Sequence, residues 1–298
     1  MKTNRSSWFL VLSLLVLFPN VAIPWGDVGH QVVAQIAWNQ FKKSDQEKLT
    51  QILQPMVSNY SECSHFITAS VWADHIKTNN WKLFSHWHYI DFPYVTGPLR
   101  KVPKVPKENA VQGMCEAIKT LQTSTDPLGK AMMLALLIHI VGDVHQPLHA
   151  ISHYSSKFPK GDSGGFLYKV QTETGSMNLH LYWDLGAGLL EKPRHPYTPL
   201  LIISPQTENL AKAWSEEFPK DKFKKQLQET QLISWAKESY ELAKQVAYPK
   251  NSKTVHSKEY VLAAQPVVKK QITLAGYRLA QLLEQVLDEK KGLKLGCR

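Results

Sequence analysis

The chain has 298 residues, 43% of them hydrophobic and 20% charged, with a formal net charge of +10. That hydrophobic share suffices for a globular core, and the mixture excludes a disordered or low-complexity chain. The basic balance favours polyanionic partners such as nucleic acid or anionic lipid, without selecting between them.

At the N-terminus, Lys2 and Arg5 precede an apolar run from Trp8 to Phe18 that only Ser13 interrupts. This pattern predicts a secretory signal over residues 1–24. The run is too short for an ordinary membrane-spanning helix, which needs ~20 residues. No later stretch is apolar over membrane length, so no stable membrane anchor is expected, and the mature chain should be secreted or periplasmic. A cut before Trp25 puts Pro24 at the last signal position, where a small residue is expected. Ala22 offers a small residue two positions earlier, with trimming to follow. Without Lys2 and Arg5 the net charge is +8.

From there the pattern is helical. Val28, Val32, Val33, Ile36, Ala37 and Phe41 recur at helical spacing. Ser44-Asp45-Gln46-Glu47 reads as a capping box for a helix carrying Leu49, Ile52 and Leu53. Asn59-Tyr60-Ser61 is a glycosylation sequon. The basic, Pro-interrupted run Arg100 to Lys107 reads as an exposed loop. Helices follow over 110–122 and 130–146. The second is apolar almost all round from Ala131 to Val141, except at His139, and is expected to be central and buried.

Residues 154–178, rich in Gly, Ser and Lys, are irregular, with room for a short β-hairpin over 160–178. The C-terminal third predicts helices over 206–218, 227–247 and 258–289, with Pro266 kinking or breaking the last. No linker divides the chain, so a single all-α domain over 25–298 is expected. Three cysteines, none in a Cys-x-x-Cys pair, allow one disulfide. Spacing does not dictate its connectivity; Cys63–Cys115 is the expected pairing, with Cys297 odd.

The chemistry concentrates between His139 and Asp184. His139-Ile-Val-Gly-Asp143 and His180-Leu-Tyr-Trp-Asp184 each repeat His-x-x-x-Asp, and His145 and His149 lie between them. Residues four apart share one helix face, so each pair offers an imidazole nitrogen and a carboxylate oxygen to one point. These are metal-ligand types. One such pair alone is more often a surface hydrogen bond. Two pairs with an interposed histidine favour a metal site, and a histidine on an otherwise apolar helix needs a partner.

Further candidates lie upstream in Trp25-Gly-Asp-Val-Gly-His30, Trp72-Ala-Asp74 and Trp87-His88-Tyr89-Ile-Asp91. With Gly142-Asp143-x-His-Gln-Pro-Leu-His149, Asn178-Leu-His180-x-x-Trp-Asp184 and Gly276-Tyr-Arg-Leu-Ala280, they run in order from Trp25 to Ala280. The set resembles the zinc-dependent single-strand nuclease and 3′-nucleotidase family. The resemblance implies a mostly helical fold with three zinc ions. By motif position, Asp74, His88, His139 and Asp143 would hold one zinc. Trp25, through its amino group and carbonyl, with His30 and Asp143, would hold a second, and His149, His180 and Asp184 the third.

The implied reaction is hydrolysis of single-stranded RNA and DNA to 5′-phosphorylated products, and of 3′-nucleotides, by zinc-activated water. Lys77, one turn after Asp74, matches a position near the phosphate, and Tyr89 and Asp91 match a base-binding pair. The chain departs from the family pattern at Asp162-Ser-Gly-Gly-Phe166, where an aromatic ring replaces the usual asparagine. A zinc phospholipase C is the alternative enzyme reading. It is disfavoured by the short Trp25–His30 spacing and by Asp at 184, where that family carries Glu. A non-catalytic zinc or nucleic-acid binder is the other alternative; the intact ligand set with Lys77 argues against it.

Overall fold

The computed structural model describes residues 25–78, 82–98, 102–191, 201–249, 254–288 and 296–297. The expected signal segment, Arg100 and Lys101 lie outside these residues. The helices are α1 (Gly26–Trp38), α2 (Lys43–Leu53), α3 (Phe66–Ala69), α4 (Trp72–Thr78), α5 (Ala110–Thr123) and α6 (Pro127–Asp143), then α7 (Leu179–Asp184), α8 (Pro205–Glu217), α9 (Lys224–Leu227), α10 (Leu232–Leu242) and α11 (Lys258–Leu287). The strands are β1 (Phe92–Val95), β2 (Ile151–Tyr154), β3 (Lys169–Thr172) and β4 (Gly175–Asn178). The mostly helical expectation holds, with two small sheets added.

At the centre lies α6. The Asp126 side chain caps it by accepting from the Leu128 and Gly129 amides, and Pro127 supplies a preset first turn. The helix therefore starts three residues before the expected boundary. Every residue from Leu134 to Asp143 is buried, so His139 and Asp143 are carried into the interior by an apolar helix. Helix α1 is also buried on all sides from Gly26 to Ala37, its polar residues included. The Gln31 side chain accepts from the Ser204 amide and the Thr207 hydroxyl, and donates to the Ile202 carbonyl, which satisfies it in the core.

Helix α11 crosses α1 at Gly276, where a Cβ would stand 2.6 Å from the side chain of Ile36; only glycine allows that approach. Pro266 sits inside α11, and the helix runs through it unbroken. Leu262, four residues earlier and bonded to no proline N–H, is 65% exposed, so water can take its carbonyl.

Three expectations need correction. Helix α2 begins at Lys43, with Lys42 at the cap and no side-chain cap bond, so Ser44 lies inside the helix rather than capping it. The single helix expected over 227–247 begins only at Leu232 and continues through a π-turn to Ala247, with Leu227 ending the short α9. Gly296 bridges to Gln231, its amide donating to the Thr230 carbonyl and its carbonyl accepting from the Leu232 amide, so a distant segment fills the gap between α9 and α10. The disulfide joins Cys115 to Cys297, with Cα atoms 5.8 Å apart, and Cys63 is a buried free thiol. Cys63 points into the core; Cys115, on α5, meets a C-terminal residue that sequence spacing could not place.

The expected β-hairpin is β3–β4, antiparallel over 169–178. The other sheet was not foreseen: β1 and β2 pair in parallel, Phe92 opposite Ile151. This pairing brings together the turns that precede both strands, Ser85–His88 and Pro147–Ala150, and the Ile90 amide donates to the His149 carbonyl at 2.8 Å. Two distant histidines thereby become neighbours. No helix among the described residues is long and apolar enough to cross a membrane.

Candidate metal centre

Helix periodicity does what the spacing promised. His139 Nε2 lies 3.2 Å from Asp143 Oδ2, and His180 Nε2 lies 3.6 Å from Asp184 Oδ2, each pair four residues apart. The fold then joins them to side chains from α1, α4 and the turn after it. His30 Nε2 is 3.3 Å from Asp143 Oδ1, and its ring stacks on His139 with centroids 3.9 Å apart. His88 Nδ1 is 3.1 Å from Asp143 Oδ2 and 3.8 Å from Asp74 Oδ1. His149 Nε2 is 3.0 Å from His180 Nε2. Three buried groups have ligand geometry: His30, Asp74 and His139; His88, His139 and Asp143; and His149, His180 and Asp184.

Backbone carbonyls aim the rings. His139 Nδ1 donates to Ser70 O at 2.7 Å, His149 Nδ1 to His88 O at 2.6 Å, and His180 Nδ1 to Gly164 O at 2.7 Å. With Nδ1 carrying the proton, each Nε2 presents a lone pair inward, as in metal-ligating histidines. Two such lone pairs, on His149 and His180, face each other at 3.0 Å, an arrangement that calls for a cation between them. The centre also holds buried atoms without hydrogen-bond partners: both nitrogens of His30, both oxygens of Asp74, Asp143 Oδ1 and Asp184 Oδ2. Unpaired buried polar atoms are costly, and their convergence here points to one missing partner, a metal. Trp25 is anchored beside them, its indole N–H donating to the Gly142 carbonyl at 2.8 Å. Gly142 leaves room for His30, whose Nδ1 would lie 2.8 Å from a Cβ at that position.

Burial sets the protonation energetics. It raises Asp74 to about 7 against the pull of His139 and Lys77, and raises Asp184 well above the carboxylate range. It lowers His30 to about 4, and His88 and His180 well below the imidazole range. At His139 burial opposes the charge, but Asp143 and Asp74 overcome it and raise the group to about 9. Burial likewise opposes ionisation of Asp143, and His139 beside it holds the carboxyl well below its ordinary value. Such closely packed acids and imidazoles frustrate one another until a cation holds the carboxylates ionised and the rings neutral.

The remaining candidates stand at the rim. Lys77 Nζ is 3.9 Å from Asp74 Oδ1, and the side chain is 22% exposed. Burial lowers His88, His149 and His180, and the Lys77 charge adds to that lowering. Tyr89 is half-buried, its hydroxyl 3.0 Å from His86 Nδ1. Asp91 is also half-buried, pushed up to about 6 by burial and then by Asp162, and its carboxylate accepts no hydrogen bond among the described residues.

Sequence reasoning assigned no role to three supports. Gln146 Nε2 donates to Asp184 Oδ1 at 2.7 Å and leaves Oδ2 facing inward. His145 is turned away from the centre: its Nδ1 donates to Val141 O, and its Nε2 accepts from Arg278 Nη1 at 2.9 Å. Arg278 is buried and also pairs with Glu238 at 2.8 Å and lies over the Trp235 ring. The Gly-Tyr-Arg motif thus braces the segment between Asp143 and His149 from behind. Arg278→Met should lower unfolding free energy by about 3 kcal/mol, since it leaves buried partners unpaired. Urea unfolding with the disulfide intact checks this; a loss under ~1 kcal/mol would reduce the latch to a surface-type ion pair.

The family model for S1/P1 nuclease matches residues 25–288. Among relatives, Endonuclease 3 of Arabidopsis thaliana is 28% identical, the alignment covering 96% of this chain and 97% of that protein. Endonuclease 4 of the same plant is 27% identical over 97% and 98%, and Nuclease S1 of Aspergillus oryzae is 27% identical over 89% and 92%. The buried histidine–aspartate centre and a family match spanning nearly all of the described fold lead to one conclusion: the chain belongs to the S1/P1 nuclease family and is a nuclease.

Proposed function

We propose that the protein is an exported zinc enzyme that hydrolyses single-stranded RNA and DNA to 5′-phosphorylated products and also acts on 3′-nucleotides. The observation that carries this reading is the set of inward-facing, partnerless imidazole and carboxylate atoms at the buried centre. The donor set fits zinc, being all nitrogen and oxygen, with His Nδ1 atoms tied to carbonyls. Asp74, His88, His139 and Asp143 would hold one ion. His30, Asp143 and the amino group and carbonyl of Trp25 would hold the second, and His149, His180 and Asp184 the third. When bound, zinc supplies an activated water at neutral pH and positive charge for the phosphate oxygens.

The chain's own residues do the rest. Asp143 directs one oxygen to His30 and the other to His88 and His139, so it can tie two ion positions together. Lys77, its ammonium 3.9 Å from Asp74 Oδ1, would stabilise the charge that grows on the phosphoryl oxygens. Tyr89 offers an aromatic face to an unpaired base, and the Asp91 carboxylate is available to that base's polar edge. Bases stacked within a duplex cannot reach such a face, which supports a preference for single strands. The basic chain draws in the polyanion, so binding should weaken with salt.

The test uses protein purified without chelator and resupplied with zinc. Elemental analysis should find three zinc ions per chain, one for each of the three ligand sets just named. Hydrolysis of single-stranded DNA and RNA should stop with chelator and return with zinc, and the products should co-chromatograph with 5′-mononucleotides. One zinc or none per chain would reject the three-ion reading, and 3′-phosphate products would reject the bond assignment.

A further inference from the structure

Helix α4 carries Asp74 and, three residues on, Lys77, whose Nζ is 3.9 Å from Asp74 Oδ1. The helix has only seven residues, too few to be stable by itself. Trp72, Ala73 and Ile76 press it against the core. Apolar contacts are non-directional, so they hold a short helix down without fixing its rotation about its own axis. A directional contact does that here. His75 leaves the helix about 100° away from Asp74, on another face. Its Nδ1 donates to the carboxylate of Glu62, which is 1% exposed.

Glu62 is itself held in place. It lies in the turn Ser61–Ser64, and its carbonyl accepts from the Thr68 hydroxyl at 2.5 Å. Thr68 belongs to α3, and Ser70, just past that helix, gives its carbonyl to His139 Nδ1 at 2.7 Å. The Tyr60 ring stands edge-on to both Trp72 and His75, centroids 5.7 Å and 6.2 Å away, and limits the swing of the imidazole. The Glu62–His75 bond spans 13 residues of sequence, and both Asp74 and the carbonyl that aims His139 lie within that span. In a core, such a polar pair adds little stability that an apolar pair of similar volume would not; what it adds is direction.

We propose that Glu62 is a positioning residue: through His75 it fixes the rotation of α4, and so aims the Asp74 carboxylate at the ion position shared with His88 and His139. This rests on the zinc nuclease reading above. Asp74 Oδ1 lies 3.8 Å from His88 Nδ1 and 3.9 Å from His139 Nε2. Neither Asp74 oxygen has a hydrogen-bond partner among the described residues, so the helix that carries the carboxylate sets its direction. Rolling α4 also moves Lys77, so both metal binding and kcat depend on the Glu62 contact.

The experiment compares wild type with Glu62→Gln, the double variant Glu62→Met/His75→Leu, and Cys63→Ala. Each is equilibrated with zinc buffered over a range of free concentrations. Zinc per chain, thermal unfolding, and kcat and KM on single-stranded DNA are then measured. The double variant leaves no buried polar group unpaired, so its fold should stay about as stable as the wild type. It should need about 10-fold more free zinc to fill one ion position, the lower end of the loss when a ligand's outer support is removed. The other positions should be unchanged, and kcat should fall more than KM rises. Glu62→Gln, whose amide oxygen still accepts from His75, should bind zinc like the wild type. Cys63→Ala, at the adjacent and fully buried residue, should lower the unfolding temperature and leave zinc binding alone. The inference is overturned if the double variant fills every position at the wild-type zinc concentration, or if all its positions weaken together. It is also overturned if Glu62→Gln behaves like the double variant, or if Cys63→Ala shifts zinc binding as much. A wild type that binds no zinc or leaves single-stranded DNA intact would instead reject the nuclease reading itself, so the two failures are distinguishable.

Discussion

Asp143→Ala is expected to bind at most one zinc per chain and to lose on the order of 10³-fold or more in activity. The reason lies in how its carboxylate is used. One oxygen is 3.3 Å from His30, and the other is 3.1 Å from His88 and 3.2 Å from His139. Its loss leaves three buried imidazoles around Asp74, a carboxyl that burial already holds at about 7. Too little negative charge then remains to keep two dications beside each other. His180→Ala is the control. It touches only the group with His149 and Asp184, so it should lose one zinc and keep the others. Elemental analysis after zinc resupply, with circular dichroism to check the fold, separates the two variants. If both retained two zincs equally, the shared role of Asp143 would be wrong.

Lys77→Ala should lower kcat by about 10²-fold with zinc content intact, the loss typical of one electrostatic donor. Lys77 emerges from α4 one turn after Asp74 and is mostly shielded from solvent, and its charge is felt by three of the histidines. A cation so placed meets the phosphoryl oxygens as they gain charge, which affects kcat more than KM. Lys77→Arg should recover part of the rate. An unchanged kcat in Lys77→Ala would return the residue to an ordinary solvated lysine. Loss of zinc would show instead that it serves as a counter-charge to Asp74.

Much of the centre was legible from local rules. Residues four apart on a helix meet whatever the rest of the chain does, so the pairs His139–Asp143 and His180–Asp184 could be read directly. The apolar run around His139 likewise announced a buried helix that must deliver its polar residues to a partner. The helical character of the chain followed from periodicity, and the Gly- and Ser-rich composition left room over 160–178 for the hairpin that forms at 169–178. Motif order carried the family, which the match over residues 25–288 bears out. Local rules erred where a competing contact decided the outcome. Ser44 gave up its cap position to a helix that starts at Lys43, and the helix expected over 227–247 starts only at Leu232, where Gly296 comes in from the far end.

The sequence by itself determined the helices, the two His-x-x-x-Asp faces and the types of donor atom, because these depend on interactions within a few residues. Tertiary structure alone decided which donors share a site. His30 meets Asp143 only because α1 packs against α6 across Gly142, and His88 meets His149 only because β1 and β2 pair in parallel. It also decided the orientation of the imidazoles, since the carbonyls of Ser70, His88 and Gly164 that hold them leave no mark in a sequence of side chains. The same holds for the Cys115–Cys297 bond, whose partners are 182 residues apart, and for the Phe166 ring on His180. Each is a contact between segments that only the packed core brings within reach, and no local periodicity encodes such a meeting.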